Sequence, residues 1–162
     1  MKTQQHITRP VLSCLILSAL IFSLAIFTVP ASAENKRTPQ VSSENISDYK
    51  AITEIIDIYI EGGRQGQSEI MKQAFHEGAN IYANSHGQTV GGPIQLLYDL
   101  VDSKEAAGEI PYSISAIEIY QDIAMTKVDI ENWAGAKYTD MFTLLKTDQG
   151  EWKIISKVSH QN

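Results

Sequence analysis

The last third of the sequence constrains the fold most, because it alternates apolar and polar residues over four consecutive runs. A period of two is typical of half-buried β-strands, whose side chains point to alternate faces. The runs span residues 112–120, 123–133, 137–146 and 152–160. No gap between them exceeds five residues, which is too short for a crossover helix. The sequence therefore predicts a four-stranded antiparallel meander.

The residues upstream of this meander follow the helical period instead. A first helix is predicted from Ile46, with Ser47 as its N-cap and Gly62-Gly63 as its stop. Its apolar stripe consists of Tyr49, Ile52, Ile55, Ile56, Tyr59 and Ile60. The apolar face of the meander cannot stay in water, and the upstream helices are available to cover it. We therefore expect an α+β domain with N-terminal helices packed on an antiparallel meander sheet.

Shorter elements fill the interval between the first helix and the meander. A second helix is predicted over 68–78 and two short strands over 79–84 and 89–90, the second strand being broken by Gly91-Gly92. Pro93 opens a third helix. Its buried stripe consists of Ile94, Leu97, Tyr98 and Val101.

The first 33 residues have the order of a secretory signal peptide. Lys2 and Arg9 precede an apolar run over 11–29, and Ala31-Ser32-Ala33 follows as a small-residue cleavage site. An uncleaved membrane anchor is the alternative, because roughly 20 apolar residues span a bilayer. Lipidation at Cys14 is the weaker interpretation, because the apolar run follows that cysteine instead of preceding it.

These features predict the domain organisation and the compartment. We expect a signal peptide over 1–33, a flexible leader over 34–46 and one folded domain over 47–162. Cleavage near Ala33 would deliver the protein to the periplasm or beyond.

The charge balance disfavours two classes of partner. The chain has 13 Lys and Arg against 19 Asp and Glu, and loss of Lys2 and Arg9 with the signal peptide changes the net charge from −6 to −8. Such a surface repels nucleic acid and anionic bilayers. We therefore expect no nucleic-acid partner and a mature form that is not embedded in a membrane.

Motifs for cofactors and metals are absent from the sequence. It has no phosphate-binding loop, dinucleotide fingerprint or HExxH motif. Its one cysteine, Cys14, leaves with the signal peptide, and His76, His86 and His160 are widely separated. We therefore predict no cofactor and no metal.

The C-terminal residues resemble those of a known family. Residues 138–146 read YTDMFTLLK and residues 150–158 read GEWKIISKV. This hairpin is similar to the terminal hairpin of the putative lumazine-binding family, within the nuclear transport factor 2-like superfamily. Upstream pieces at 59–62, 74–76 and 79–82 agree in order.

The resemblance covers about residues 48 to 160 and implies a particular architecture. In the superfamily, helices pack on a strongly curved antiparallel sheet to form a cone, which opens at one end to a pocket and is often homodimeric through the sheet. Relatives include isomerases, dehydratases, polyketide cyclases and binding or assembly modules, so the fold alone does not select a chemistry. Ser159 stands where we expect an aromatic residue from the family pattern.

Asp140 is the most informative candidate for a site, because it shares a predicted strand face with Tyr138, Phe142 and Leu144. Facing an apolar cavity, this carboxylate can act as a general base or bind an N–H group of a ligand. The alternatives are a structural ion pair with a cation such as Lys157, or exposure to water. The last strand is predicted to present on one face Trp152, Ile154, Ser156, Val158 and His160.

Four further residues are candidates for the same pocket. Tyr59 offers a hydroxyl donor from the buried stripe of the first helix, or is a core aromatic residue. His76, at the end of the second helix, is a proton carrier or a helix cap. Tyr82 and Trp152, with Trp133, offer flat walls for a planar ligand or are packed within the sheet.

Three functions of different classes are consistent with the sequence. The leading hypothesis is an exported, non-catalytic protein that binds an unidentified small molecule in an apolar pocket. The second is a cofactor-free isomerase, dehydratase or cyclase, with Asp140 as base and with Tyr59 and His76 stabilising developing charge. The third is a homodimeric interaction module. The first is favoured because Asp140 has no second carboxylate on its strand face.

Overall fold

The computed structural model describes residues 43–162, and the predicted signal peptide lies outside the described residues. The elements are α1 Ser43–Gln65, α2 Ser68–Met71, β1 Phe75–Ser85, β2 Gln88–Pro93, α3 Gln95–Asp102, β3 Tyr112–Tyr120, β4 Ile123–Trp133, β5 Ala136–Lys146 and β6 Trp152–Gln161. Helix α1 begins within the segment predicted as a leader over 34–46. Over the described part of the chain, no helix combines the length and the apolarity that a membrane crossing requires.

The strands form one six-stranded sheet in the order β2-β1-β6-β5-β4-β3. Strands β3 to β6 pair antiparallel in sequence order, which confirms the predicted meander. Strands β1 and β2 form a hairpin, and β1 pairs with β6 in parallel, so the sheet is mixed. Register shifts within four of these pairings mark irregularities of the bulge type, which bend and twist a sheet. The predicted α+β class, helices on a curved and mostly antiparallel sheet, is confirmed.

The core lies between the helices and the inner face of the sheet. Ile52, Ile56 and Tyr59 are buried at helical spacing on α1. They belong to one cluster with the inner-face residues Ala124, Val128, Ile130, Phe142, Leu144 and Ile154. The predicted stripe of α3 is buried as well. Each fully buried Ile or Phe contributes about 1.5–3 kcal/mol, so this layer dominates the stability of the domain.

Two glycines predicted to stop α1 lie inside it, because they allow close packing. A Cβ on Gly62 would lie 2.7 Å from the Cβ of Met71, and one on Gly63 would overlap the indole of Trp133. The helix ends instead at Gln65, just before Gly66, whose φ of +66° favours glycine. The pair Gly91-Gly92 was also expected to break a strand but lies within β2, where a side chain on Gly91 would overlap the ring of Tyr82.

The second helix is much shorter than the predicted range 68–78. Helix α2 ends at Met71, and β1 begins at Phe75 because this segment pairs with β6. The amide of Ile154 donates to the carbonyl of Ala74 at 2.9 Å, which carries the pairing up to the start of β1. Pairing with a distant strand therefore overrides the local helical pattern.

A bulge in β6 changes which side chains face the core. Leu144 pairs with Ile154 and Thr143 pairs with Ser156, so Ile155 is an extra residue. The predicted single face from Trp152 to His160 is therefore wrong after Ile154. Lys157 and Ser159 point inward and are buried, whereas Val158 and His160 are exposed.

Candidate functional site

The structure brings together Tyr59 of α1 and Asp140 of β5, two residues 81 positions apart in the sequence. Both lie on the predicted buried faces of their elements. The hydroxyl of Tyr59 donates to Oδ2 of Asp140 at 2.8 Å. Asp140 is only 1% exposed, so this hydrogen bond is shielded from water. The helix thus places a phenol directly against a carboxylate on the inner face of the sheet.

Two residues of β6 complete this site. Nζ of Lys157 donates to Oδ1 of Asp140 at 3.0 Å, and the hydroxyl of Ser159 donates to the same oxygen at 2.5 Å. Lys157 also donates to Oγ of Ser159. We call Tyr59, Asp140, Lys157 and Ser159 the interior cluster. The ion pair between Asp140 and Lys157, which was the structural alternative for Asp140, is therefore present.

Aromatic rings surround Tyr59, the member of the interior cluster that lies on α1. The ring of Tyr59 lies 5.2 Å from those of Trp133 and Phe142 and 5.9 Å from that of Phe75, measured between centroids. The ammonium of Lys157 lies 5.6 Å from the centroid of the Tyr59 ring, within the range of a cation–π interaction. Charges in such apolar surroundings interact more strongly than at the surface.

The electrostatics keep Tyr59 in its protonated form. Burial raises the pKa of Tyr59 well above its ordinary value, and the charge and hydrogen bond of Asp140 raise it further. Burial and the same charge also raise the pKa of Tyr138, two residues before Asp140 on β5. The phenol of Tyr59 is consequently a hydrogen-bond donor at neutral pH, beside an acceptor and a cation.

The structure places Trp152 elsewhere, at the beginning of α1. Its indole N–H donates to Oδ1 of Asp48 at 3.0 Å, and Nζ of Lys146 donates to the same oxygen at 2.8 Å. We call Asp48, Lys146 and Trp152 the tether cluster, because it joins α1 to β5 and β6. Asp48 and Tyr59 are separated by three turns of helix, about 16 Å along its axis. Trp152 therefore does not line the interior cluster, contrary to its assignment as a pocket wall.

Burial and hydrogen bonding act in opposite directions on Asp48. Burial raises the pKa of this carboxyl group. The hydrogen bonds from Lys146 and Trp152 lower it, and so does the charge of Lys146. The net pKa lies below the ordinary value of 3.8. Asp48 is therefore stabilised as a carboxylate in the folded state.

His76 and Tyr82 also lie outside the interior cluster. His76 is an exposed residue of β1, and its Nδ1 accepts a hydrogen bond from the amide of Gly78 at 3.0 Å. Tyr82 is 49% exposed on the outer face of the sheet, beside Val158 of β6. The structure does not bring His76 together with Tyr59 and Asp140, because β1 begins before His76 and its side chain is exposed.

Two surface clefts are lined by residues that do not belong to the interior cluster. One of about 680 Å³ lies between Tyr49 and Thr53 of α1 and residues 112–117 of β3. Another of about 330 Å³ is lined by residues around Phe75, Ile94 and Tyr98. Within residues 43–162, no three His, Cys, Asp or Glu side chains are grouped as a metal site requires.

Sequence reasoning missed Ser159 and considered Lys157 only as a structural partner. A strict period of two places both on the outer face, and the bulge at Ile155 reverses this. The sequence Lys157-Val158-Ser159 contained a signal for this arrangement, since its two polar residues alternate with an apolar one. They face inward together only if one extra residue precedes them in the strand.

The comparisons with known proteins agree with this fold. A family model described as putative lumazine-binding matches residues 47–160. Aldolase FrzH from a Cladobotryum species is 31% identical over 115 residues, which cover 70% of this chain and 91% of that protein.

Two crystal structures of NTF2-like proteins of unknown function are also similar. The protein from Shewanella baltica has a TM-score of 0.68 and 34% identity, with 72% of this chain and 95% of that chain covered. The protein from Methylobacillus flagellatus has a TM-score of 0.68 and 35% identity, with 76% and 96% covered.

Proposed function

The chain belongs to the putative lumazine-binding family, and we propose that it binds a small organic molecule at the interior cluster. The observation that carries this proposal is the concentration of a carboxylate, an ammonium and two hydroxyl groups at one position in an aromatic shell. Small-molecule sites typically set a few polar groups among apolar and aromatic walls.

The surrounding rings favour a flat ligand. Trp133 lies against the ring of Tyr59 and is itself half-buried, so it connects the interior cluster with the surface. A planar molecule that takes the place of this indole against Gly63 would lie against the ring of Tyr59, whose hydroxyl is bonded to Asp140. Lumazine, after which the family is described, is a flat bicyclic compound whose carbonyl and N–H groups match such a donor and such an acceptor.

Titration with lumazine, followed by its fluorescence, tests the proposal. We expect saturable binding by the wild-type protein and about tenfold weaker binding by Tyr59→Phe, because one hydrogen bond of roughly 1.4 kcal/mol is lost. Trp152→Phe is the matched control, since it removes an aromatic hydrogen-bond donor from the tether cluster. Equal affinity in all three proteins would place the binding elsewhere, and absence of saturable binding would reject lumazine as a ligand.

A second candidate function is a cofactor-free enzyme for carbonyl compounds, and the similarity to aldolase FrzH favours it. In an aldol reaction a base removes a proton beside a carbonyl group, and the resulting enolate attacks a second carbonyl carbon. Asp140 would accept that proton, and the Tyr59 hydroxyl would donate to the enolate oxygen. His76 has no role in this scheme, because it is exposed.

Proton exchange tests this second function without knowledge of the natural substrate. We expect the wild-type protein to accelerate deuterium incorporation beside the carbonyl of propanal in D₂O, as measured by NMR. Tyr59→Phe should slow this exchange by about tenfold or more, because the enolate loses its donor. Exchange no faster than in buffer would reject the enzymatic function and leave the binding function standing.

We further propose that the protein forms a homodimer through the outer face of its sheet. Tyr82, Val158 and Met141 are paired across β1, β6 and β5 and are each about half exposed. An exposed apolar row of this kind supports an interface. Sedimentation equilibrium should give a dimer for the wild type and a monomer for Val158→Lys, and a monomeric wild type would contradict the proposal.

Export remains part of the proposed function. On the pattern of residues 1–33, the mature protein would begin at Glu34 and be released from the membrane. The intact mass of the protein recovered from the periplasm tests this, and a membrane-bound product that retains Met1 would contradict it.

A further inference from the structure

We propose that Lys157 is a nucleophilic amine that forms a Schiff base with an aldehyde or ketone. This inference rests on the proposed function, because the carbonyl compound must reach the interior cluster. It adds a covalent step at a residue to which neither candidate function above gives a chemical role.

Lys157 is unusually enclosed. Among the ion-paired lysines of residues 43–162 its side chain is the least exposed, at 9% against 25% for Lys153. Enclosed lysines recur as Schiff-base nucleophiles in proteins, because the surrounding side chains hold the amine in place against a bound carbonyl compound. Lys157 also has the neighbours that proton transfer requires, whereas Lys153 donates to the backbone carbonyl of Gln73 at the surface.

The first step is a proton transfer within the interior cluster. The ammonium of Lys157 gives one proton to Asp140, whose Oδ1 lies 3.0 Å away. The freed lone pair forms a bond with the carbonyl carbon, and the π electrons of the C=O bond move to the oxygen. That oxygen takes the proton from Asp140, which regenerates the carboxylate and leaves a protonated carbinolamine.

The second step releases water. One proton passes from nitrogen to the new hydroxyl group, relayed by the hydroxyl of Ser159, which contacts both Lys157 and Asp140. The C–O bond then breaks, and the nitrogen lone pair forms the C=N bond. In sum, an ammonium and a carbonyl compound give an iminium and water, so no oxidant or reductant is required.

The site stabilises the product as it stabilises the starting ammonium. The iminium nitrogen remains beside the Asp140 carboxylate and over the Tyr59 ring, which lies 5.6 Å from Nζ. Tyr59 donates to the other oxygen of Asp140 and so orients the carboxylate toward the amine. A positive charge therefore persists at the same place throughout, and no charge is newly buried.

The protein contains an internal control for this proposal. Lys146 is also ion-paired with a buried carboxylate and lies 5.8 Å from an aromatic ring centroid, that of Trp152. Its cluster contains an indole N–H in place of the hydroxyl groups, and its side chain is 27% exposed. Lys146 thus shares the ion pair and the aromatic neighbour, and its carboxylate partner accepts from an indole N–H where Asp140 accepts from two hydroxyl groups.

Reductive trapping tests the proposal in the full-length folded protein. The wild type is incubated with acetone and sodium cyanoborohydride, which reduces an iminium to a stable N-isopropyl lysine, and the modified lysines are located by peptide mass spectrometry. We expect Lys157 to be modified about tenfold or more above Lys146, because the site holds the amine and its proton acceptor in place. The same reaction in urea should abolish this preference, and Ser159→Ala should reduce it.

The outcomes separate this inference from the function on which it rests. Modification of Lys157 no greater than that of Lys146 in the folded protein overturns the inference. If lumazine still binds in the titration above, the binding function stands without the covalent step. Loss of preferential modification when lumazine is added would support both, because the ligand and the carbonyl probe then compete for one site.

Discussion

The tether cluster and the interior cluster each combine a buried carboxylate, a lysine and an aromatic side chain. In the tether cluster the carboxylate belongs to α1 and its partners to the sheet, whereas in the interior cluster the carboxylate belongs to β5, with one partner on α1 and two on β6. The indole N–H of Trp152 can only donate, whereas the hydroxyl groups of Tyr59 and Ser159 both donate and accept. Proton relay is therefore possible in the interior cluster and not through Trp152. The kind of partner, more than the presence of an ion pair, distinguishes a structural cluster from a candidate site.

Replacement of each carboxylate by an amide should give the largest contrast between the clusters. Asp140→Asn leaves the enclosed ammonium of Lys157 without its counter-charge, which costs about 3–5 kcal/mol of unfolding free energy. Asp48→Asn should cost only about 1–3 kcal/mol, because Lys146 is more exposed and can turn to solvent. Urea unfolding midpoints measure both losses. Equal losses would show that the two clusters are equally hydrated.

Removal of the aromatic donors should have a smaller effect. Trp152→Phe loses a hydrogen bond and leaves a void, at a cost of about 2 kcal/mol. Tyr59→Phe loses only a hydroxyl group that faces a carboxylate with two other donors, at about 1 kcal/mol. Thermal unfolding of both variants provides the comparison, and the reverse order would mean that the interior cluster contributes more to stability than the tether.

The tether cluster should control stability at acid pH. The pKa of Asp48 lies below its ordinary value of 3.8, so its contribution is present above the unfolded-state pKa and is lost as the pH falls through the folded-state pKa. The slope of stability against pH below about pH 4 should therefore be shallower in Asp48→Asn than in the wild type. An unchanged slope in urea midpoints would assign the acid sensitivity to other carboxyl groups.

The interior cluster should instead affect stability at alkaline pH, and this effect should be the smallest of those predicted here. The pKa of Tyr59 is raised, so its contribution is complete below the unfolded-state value and declines as the pH rises above about 10, where the unfolded chain ionises first. Tyr59→Phe should flatten this decline, while Trp152→Phe should keep it. Urea midpoints on either side of that pH decide between these outcomes.

The fold was largely predictable because its signals are local. The strands over 112–120 and 123–133 were predicted with the bounds that the structure shows, since alternation and short turns define them. Helix α1 was predicted too short, because Gly62 and Gly63 serve packing against Met71 and Trp133 instead of ending the helix. Whether a glycine ends an element or makes room for a neighbour depends on that neighbour, which no local pattern reveals.

The candidate site was predictable only in part, because contacts between distant elements determine it. Tyr59 and Asp140 each followed from the period of their own element, but their contact depends on how α1 lies across β5. His76 was misplaced because a distant strand shortened α2, and the inward orientation of Lys157 and Ser159 was not predicted because it depends on one bulge. Periodicity identifies which residues are buried, whereas tertiary pairing decides which of them meet.

The extra residue at Ile155 makes the pairing of β6 as consequential as its composition. A strand of the same sequence without the bulge would pair Ile155 with Thr143, which turns Lys157 to the solvent side and Val158 to the core. Deletion of Ile155 would instead remove the bulge and leave Lys157 and Ser159 on the inner face, still opposite Phe142 and Asp140. In proteins of this kind, a bulge formed or lost in the last strand is therefore a route by which a polar interior can be gained or lost without the substitution of any of its members.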